Sequence, residues 1–134
     1  SDLPPEGTII AYSNYEQRIM KHLATEFPAF EDALLDLCDR TFDLLKLVRE
    51  EYYHPQFHGN FSIKSVLPVL VPEMGYGDLE IQHGLVAALD FGRMVAEGTP
   101  IDEKEKTREA LLAYCQKDTE AMVRIFDMLY SMDV

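Results

Sequence analysis

The sequence predicts an α/β domain in which helices dominate and one or two short strands supply the sheet. Three observations lead there. Thr8-Ile9-Ile10-Ala11-Tyr12 is a β-branched run directly after a glycine, the signature of a short buried strand. Beyond Tyr12, most of the chain carries apolar residues at spacings of three and four, the helical period. Hydrophobic residues make up 47% of 134 residues, enough to bury the core of one domain and too many for a disordered tail.

Residues 1–7 read as a lead-in loop before that strand. Ser13 or Asn14 then caps a helix with Glu16 or Gln17 in its first turn and Ile19, Met20 and Leu23 on one face. Pro28 opens a further helix, in which Phe30, Ala33, Leu34, Leu37 and Cys38 recur at helical spacing. Thr41-Phe42 starts extended, and the chain becomes helical toward Glu51. Pro55 and Gly59 punctuate an aromatic loop over 52–61. Ser62 caps a short helix whose length Pro68 and Pro72 restrict. Residues 73–78 form a second loop. A helix beginning at Ile81 or Leu85 reaches Ala96 and stops at Gly98. Residues 103–132 make one long helix or two adjoining ones, with Leu111, Leu112, Cys115, Met122, Val123, Phe126 and Leu129 as the apolar set. One strand cannot make a sheet alone. Further strands are therefore expected outside this sequence, or from a second copy pairing with it.

A formal charge of −12 and the lack of a basic stripe exclude a generic electrostatic nucleic-acid-binding surface. No apolar run approaches the roughly 20 residues of a membrane span. Two cysteines, Cys38 and Cys115, are too few for a disulfide scaffold and read as buried thiols of a cytoplasmic protein. His54 and His58 are four apart, but Pro55 and Gly59 argue against the helix that zinc ligation at this spacing requires. Tyr52, Tyr53, Phe57 and Phe61 either stack single-stranded bases or plug the core beneath their loop, and the core reading is favoured.

Three segments carry residues suited to chemistry. Tyr114-Cys115-Gln116-Lys117-Asp118 puts a phenol and a carboxylate on one helix face, where they can hold a water and a metal together. Ile10 to Glu16 is a strand that ends in small polar residues and delivers a carboxylate on the first turn of a helix. Ser62 to Leu67 occupies a loop-to-helix position. Three of these residues have plainer readings: Glu16 as a first-turn acid favoured by the helix dipole, Asp118 as a solvated helix residue, Tyr114 as a core tyrosine with a wet hydroxyl.

In order and spacing these segments resemble the DEDD exonucleases of proofreading-subunit type. That superfamily has a strand-to-helix second motif, then a serine-leucine helix, then a terminal Tyr-x-x-x-Asp. More closely, the chain resembles the C-terminal part of the prokaryotic domain of unknown function DUF2779. The matching segments are Ala11 to Glu16, Tyr53 to Pro68, Asp78 to Gln82, and Tyr114 to Met122. The resemblance implies a ribonuclease-H-like (DEDD exonuclease-like) fold, N-terminally truncated, with one or two strands left in a mostly helical piece. It also implies a metal-dependent 3′–5′ exonuclease using Mg²⁺ or Mn²⁺. Glu16 and Asp118 would be metal ligands, Tyr114 would position the attacking water, and Asn14, Ser62 and Lys64 would meet the nucleic acid. The superfamily's first motif, Asp-x-Glu, is not in this sequence, Tyr12 stands where its second motif has Asn, and Glu16 replaces Asp. Without the Asp-x-Glu acids that bridge two metals the 134 residues are expected to be inactive alone. The rival expectations are a non-catalytic protein-interaction module and an all-helical dimer; a homodimer through the truncated sheet belongs to the first reading.

Overall fold

The computed structural model describes residues 3–132, so Ser1 and Asp2 of the expected lead-in loop lie outside the described residues. The chain divides into two compact units, residues 1–69 and 70–134.

In the first unit, strand β1 (Ile9–Ala11) is followed by α1 (Tyr15–Glu26), a 3₁₀ turn (Pro28–Phe30) and α2 (Glu31–Asp39). Strand β2 (Thr41–Asp43) and α3 (Leu44–Glu51) come next, then a second 3₁₀ turn (Pro55–Phe57) and α4 (Ile63–Leu70), whose last residue falls across the division. The expected extended start at Thr41-Phe42 is thus a strand, and it is β1's partner. The two pair in parallel, Ile9 with Thr41, Ile10 with Phe42 and Ala11 with Asp43. Parallel strands cannot be joined by a tight turn; here the packed pair α1–α2 makes the crossover. Gln17 ties that pair to the sheet, its Nε2 donating to the carbonyls of Cys38 (3.0 Å) and Thr41 (3.3 Å). A mostly helical α/β architecture is therefore what the chain adopts in its described residues.

The caps follow the local sequence. Asn14 holds the N-cap position of α1 but its side chain makes no capping bond; Ser13 Oγ instead accepts from the Tyr15 N–H at 3.1 Å. Ser13 sits at φ 122°, a backbone region that side chains rarely enter. Asp43 caps α3 through Oδ1, which accepts from Lys46 N at 3.2 Å. Leu44, Val48, Phe57, Val66 and Leu67 are fully buried, and Cys38 is buried as expected. Ile19, Leu23 and Phe30, expected on inward faces, are exposed; Ala24 is the buried residue of α1.

In the second unit a loop over 71–83 leads into α5 (Gly84–Val95), and α6 (Ile101–Met132) packs back along α5. Of the two expected helical starts, Ile81 and Leu85, the later is within one residue of the observed Gly84. Gln82 Nε2 donates back to the carbonyls of Leu79 (3.0 Å) and Gly77 (3.4 Å), which holds this stretch as a turn. Gly98 makes the reversal between the helices at φ 86°, the left-handed region where a side chain is strained. Residues 101–132 form a single 32-residue helix rather than two. Its buried residues are Ala121 and Ile125, so the stripe Tyr114, Asp118, Ala121, Ile125 runs at spacings of four, three and four. Leu112, Cys115 and Val123, expected inside, lie on another face and are exposed. Apolar residues occur on both faces of α6, and a small alanine marks the buried one.

Candidate functional site

Asp118 is the best-surrounded carboxylate of the second unit. It is partly buried on α6, and Tyr114 stands one turn earlier on the same stripe. Burial, then the charge of Asp118 and a hydrogen bond to it, push the Tyr114 phenol up to about 12. A second phenol comes from the loop before α5: Tyr76 donates its hydroxyl to Asp118 Oδ1 at 2.5 Å. Burial and that bond hold Tyr76 protonated well above the ordinary tyrosine range. The two rings lie 6.2 Å apart, tilted by 44°. The start of α5 closes in on the same place, since a Cβ at Gly84 would meet Tyr114 Oη at 3.6 Å. Two neutral hydroxyls directed at one carboxylate fix its orientation, because an ionised carboxyl group offers acceptors only and each phenol supplies one donor. The Tyr114–Asp118 face expected from the sequence is therefore built.

Tyr76 was not singled out by sequence. Its flanks, Gly75 and Gly77, mark a loop, and a phenol between two glycines is the one available signal. Its partner lies 42 residues away, so no local pattern could show the contact.

The first unit carries a cleft of about 530 Å³ beside β2 and the residues after β1, lined by Asn14, Gln17, Thr41, Phe42, Asp43, Lys46, Leu47, Glu50 and Glu51. Ligands of open α/β sheets bind at the carboxyl ends of strands, and Asn14 and Asp43 occupy those positions. Asp43 and Lys46 were missed by sequence reasoning. Their signal is an extended pair, Thr41-Phe42, followed by a capping acid. Tyr12, where β1 ends, donates to the Phe61 carbonyl at 2.8 Å. Burial, and next the charge of Asp43, raise its pKa, while Arg49 opposes them.

The remaining expected site residues are spread through the first unit. Glu16 is exposed in the first turn of α1. Ser62 is exposed, with its Oγ 3.1 Å from Ser65 Oγ, and Lys64 is half-buried on α4. Glu16 thus belongs to one unit, and Tyr114 and Asp118 to the other. His54 serves its own turn: Nδ1 accepts from Gln56 N at 3.3 Å and the ring packs on Phe57. Phe57 is buried in the aromatic loop and Tyr53 is exposed. Among the described residues no three His, Cys, Asp or Glu side chains converge as a metal-binding group, and no helix is long and apolar enough to cross a membrane.

The fold and site thus define a mostly helical α/β chain with a two-phenol carboxylate centre on its last helix. The family model described as Domain of unknown function (DUF2779) matches residues 1–62. This covers the Ala11–Glu16 segment and the aromatic loop as far as Ser62, and ends before Tyr114 and Asp118. Neither curated proteins nor solved structures gave a match.

Proposed function

We propose that Tyr114 and Asp118 belong to a metal-dependent centre for phosphodiester hydrolysis of the 3′–5′ exonuclease type, acting on DNA or RNA ends in the whole protein. The observation that carries this reading is the oriented, partly buried Asp118 carboxylate with the Tyr114 phenol at its side. The donor type fits, since Mg²⁺ and Mn²⁺ prefer oxygen ligands. The donor number among the described residues does not, because two-metal hydrolysis draws several carboxylates onto ions roughly 4 Å apart. Asp118 would hold one cation. The cation's contribution would be to stabilise charge developing on the phosphate. Tyr114 would orient a water by its hydroxyl, remaining protonated at neutral pH. Asn14, Ser62 and Lys64 are proposed to meet the nucleic acid.

Titration with Mn²⁺ tests the cation site, because paramagnetic broadening of NMR signals detects weak binding. Broadening centred on α6 around Asp118 and lost in Asp118→Asn is expected. Broadening spread over the acidic surface and indifferent to Asp118→Asn would overturn the reading. The 134 residues alone are expected to leave labelled single-stranded DNA and RNA intact. Degradation that disappears in Asp118→Ala would show that they hold the full set of acids.

A second reading, a protein-interaction module, is favoured by α5, where no residue is buried although Leu85, Leu89, Phe91 and Val95 are apolar. Self-association through the sheet is also proposed, since among the described residues each strand pairs on one edge only. Light scattering checks it: a mass of 15.4 kDa at tens of micromolar would exclude the dimer.

A further inference from the structure

Helix α5 is apolar on the side that its own unit leaves open. Its partly buried residues, Ala87, Asp90 and Met94, recur at three and four and form the face along which α6 packs. At 3.6 residues per turn, Leu85, Leu89, Gly92 and Ala96 fall on the opposite face, at spacings of four, three and four. Leu85 is 74% exposed and Leu89 55%. A helix that is apolar all round is ordinarily a buried one.

Gly92 shows what this face is shaped to receive. Glycine is among the poorest residues for a helix interior. Nothing in its own chain calls for it: its φ is not positive, and a Cβ there would meet no atom within 4 Å. The missing side chain leaves bare backbone three residues beyond Leu89. Two copies of α5 laid antiparallel, with a two-fold axis between residues 90 and 91, set position 89 against 92 and position 85 against 96. Each leucine then meets a glycine or an alanine of the other copy, so large side chains fill the spaces beside small ones. A two-fold contact has to be self-complementary, and this order of side chains is. Charge points to the same partner. The chain carries −12, yet α5 holds only Asp90 and Arg93, which pair with each other at 3.2 Å. Two copies therefore meet where their mutual repulsion is least.

We propose that α5 is the contact surface of a homodimer, two copies packing antiparallel with Leu89 of each seated on Gly92 of the other. This rests on the interaction-module reading, gives it a second copy of this chain as partner, and uses a helix face in place of the sheet edge. A helix of 12 residues is about 18 Å long. The area it can bury lies at the small end of protein interfaces, so association should be reversible.

Sedimentation velocity from micromolar to near-millimolar concentration tests the proposal. The average mass should rise from 15.4 kDa toward twice that value. Gly92→Leu places a better helix former at an open position, so circular dichroism should hold and the thermal midpoint of the dilute chain should not fall. Its added side chain occupies the place of the other copy's Leu89, and association should weaken about tenfold or more. Leu89→Asp should weaken it as well, by setting a carboxylate in the contact. Association at the parent's strength in both variants overturns the proposal and moves the contact to another surface, the sheet edge included. A parent that stays at 15.4 kDa throughout also overturns it. In that event, thiol labelling of Leu85→Cys in a Cys115→Ser background separates two failures. Prompt labelling leaves the face open to a different partner and keeps the interaction-module reading. Protection in the monomer removes both.

Discussion

Truncating Phe57 separates the two roles open to the aromatic loop. Its ring is 1% exposed and lies 5.8–6.0 Å, centroid to centroid, from Phe61, His54 and Tyr52. Phe→Ala at a buried site costs about 3–5 kcal/mol through lost transfer energy and the cavity left behind. An aromatic pair is worth about 0.5–1.5 kcal/mol beyond the area it buries. Either end of that range is a large share of a typical stability of about 5–15 kcal/mol. For a chain of this length the midpoint of thermal unfolding should fall by roughly 10–15 °C. Tyr53, one of the loop's other rings, is 68% exposed, so Tyr53→Ala should change stability by less than about 0.5 kcal/mol. Urea unfolding followed by circular dichroism measures both. Phe57→Ala within about 1 kcal/mol of the parent would refute the argument, because the ring could then not be filling the core. Should the loop bind single-stranded nucleic acid, Tyr53 is the ring open to stacking and Phe57 is not.

Local geometry sets three other outcomes. Tyr114 and Tyr76 have folded pKa values raised above 10, so their contribution to stability is complete below pH 10 and is lost as pH rises through about 12 for Tyr114. Urea midpoints should decline over that interval, and less steeply in Tyr114→Phe. Asp43→Ala removes the cap of α3 and should cost about 1 kcal/mol, whereas Asp43→Asn should cost a few tenths; chemical denaturation distinguishes them. A thiol-reactive disulfide reagent should label Cys115 promptly and Cys38 only on unfolding, since Cys38 is 3% exposed and Cys115 lies open.

Where a residue's neighbours in sequence are also its neighbours in space, the sequence was legible. The β-branched run Thr8–Tyr12, the extended start at Thr41 and the helix break at Gly98 each depend on a few adjacent residues, and each lies close to its observed place. The pairing of Ile9 with Thr41 was not legible, because strand partners 32 residues apart leave no periodic mark. The inward face of α6 was drawn too wide for another reason. Leu111, Met122, Phe126 and Leu129 are partly buried, but Leu112 and Val123 are apolar and exposed while Ala121 is small and buried, so hydrophobicity alone did not mark the edge of the stripe. Of the site, the Tyr114–Asp118 face could be read from spacing four. Tyr76 could not, since a loop residue's distant partner is decided by how the chain packs.

The parallel pairing of β1 and β2 also imposes an order of assembly. To meet, Ile9 and Thr41 must close a loop of roughly thirty residues, and the entropy of closure weighs against doing so in an unstructured chain. Once α1 and α2 pack against each other, the ends of that loop are already near one another and little entropy remains to be lost. Gln17 then finds both the Cys38 and Thr41 carbonyls within reach of one amide group. Mutations at the α1–α2 contact should therefore slow folding, whereas mutations in the three-residue strands should chiefly hasten unfolding.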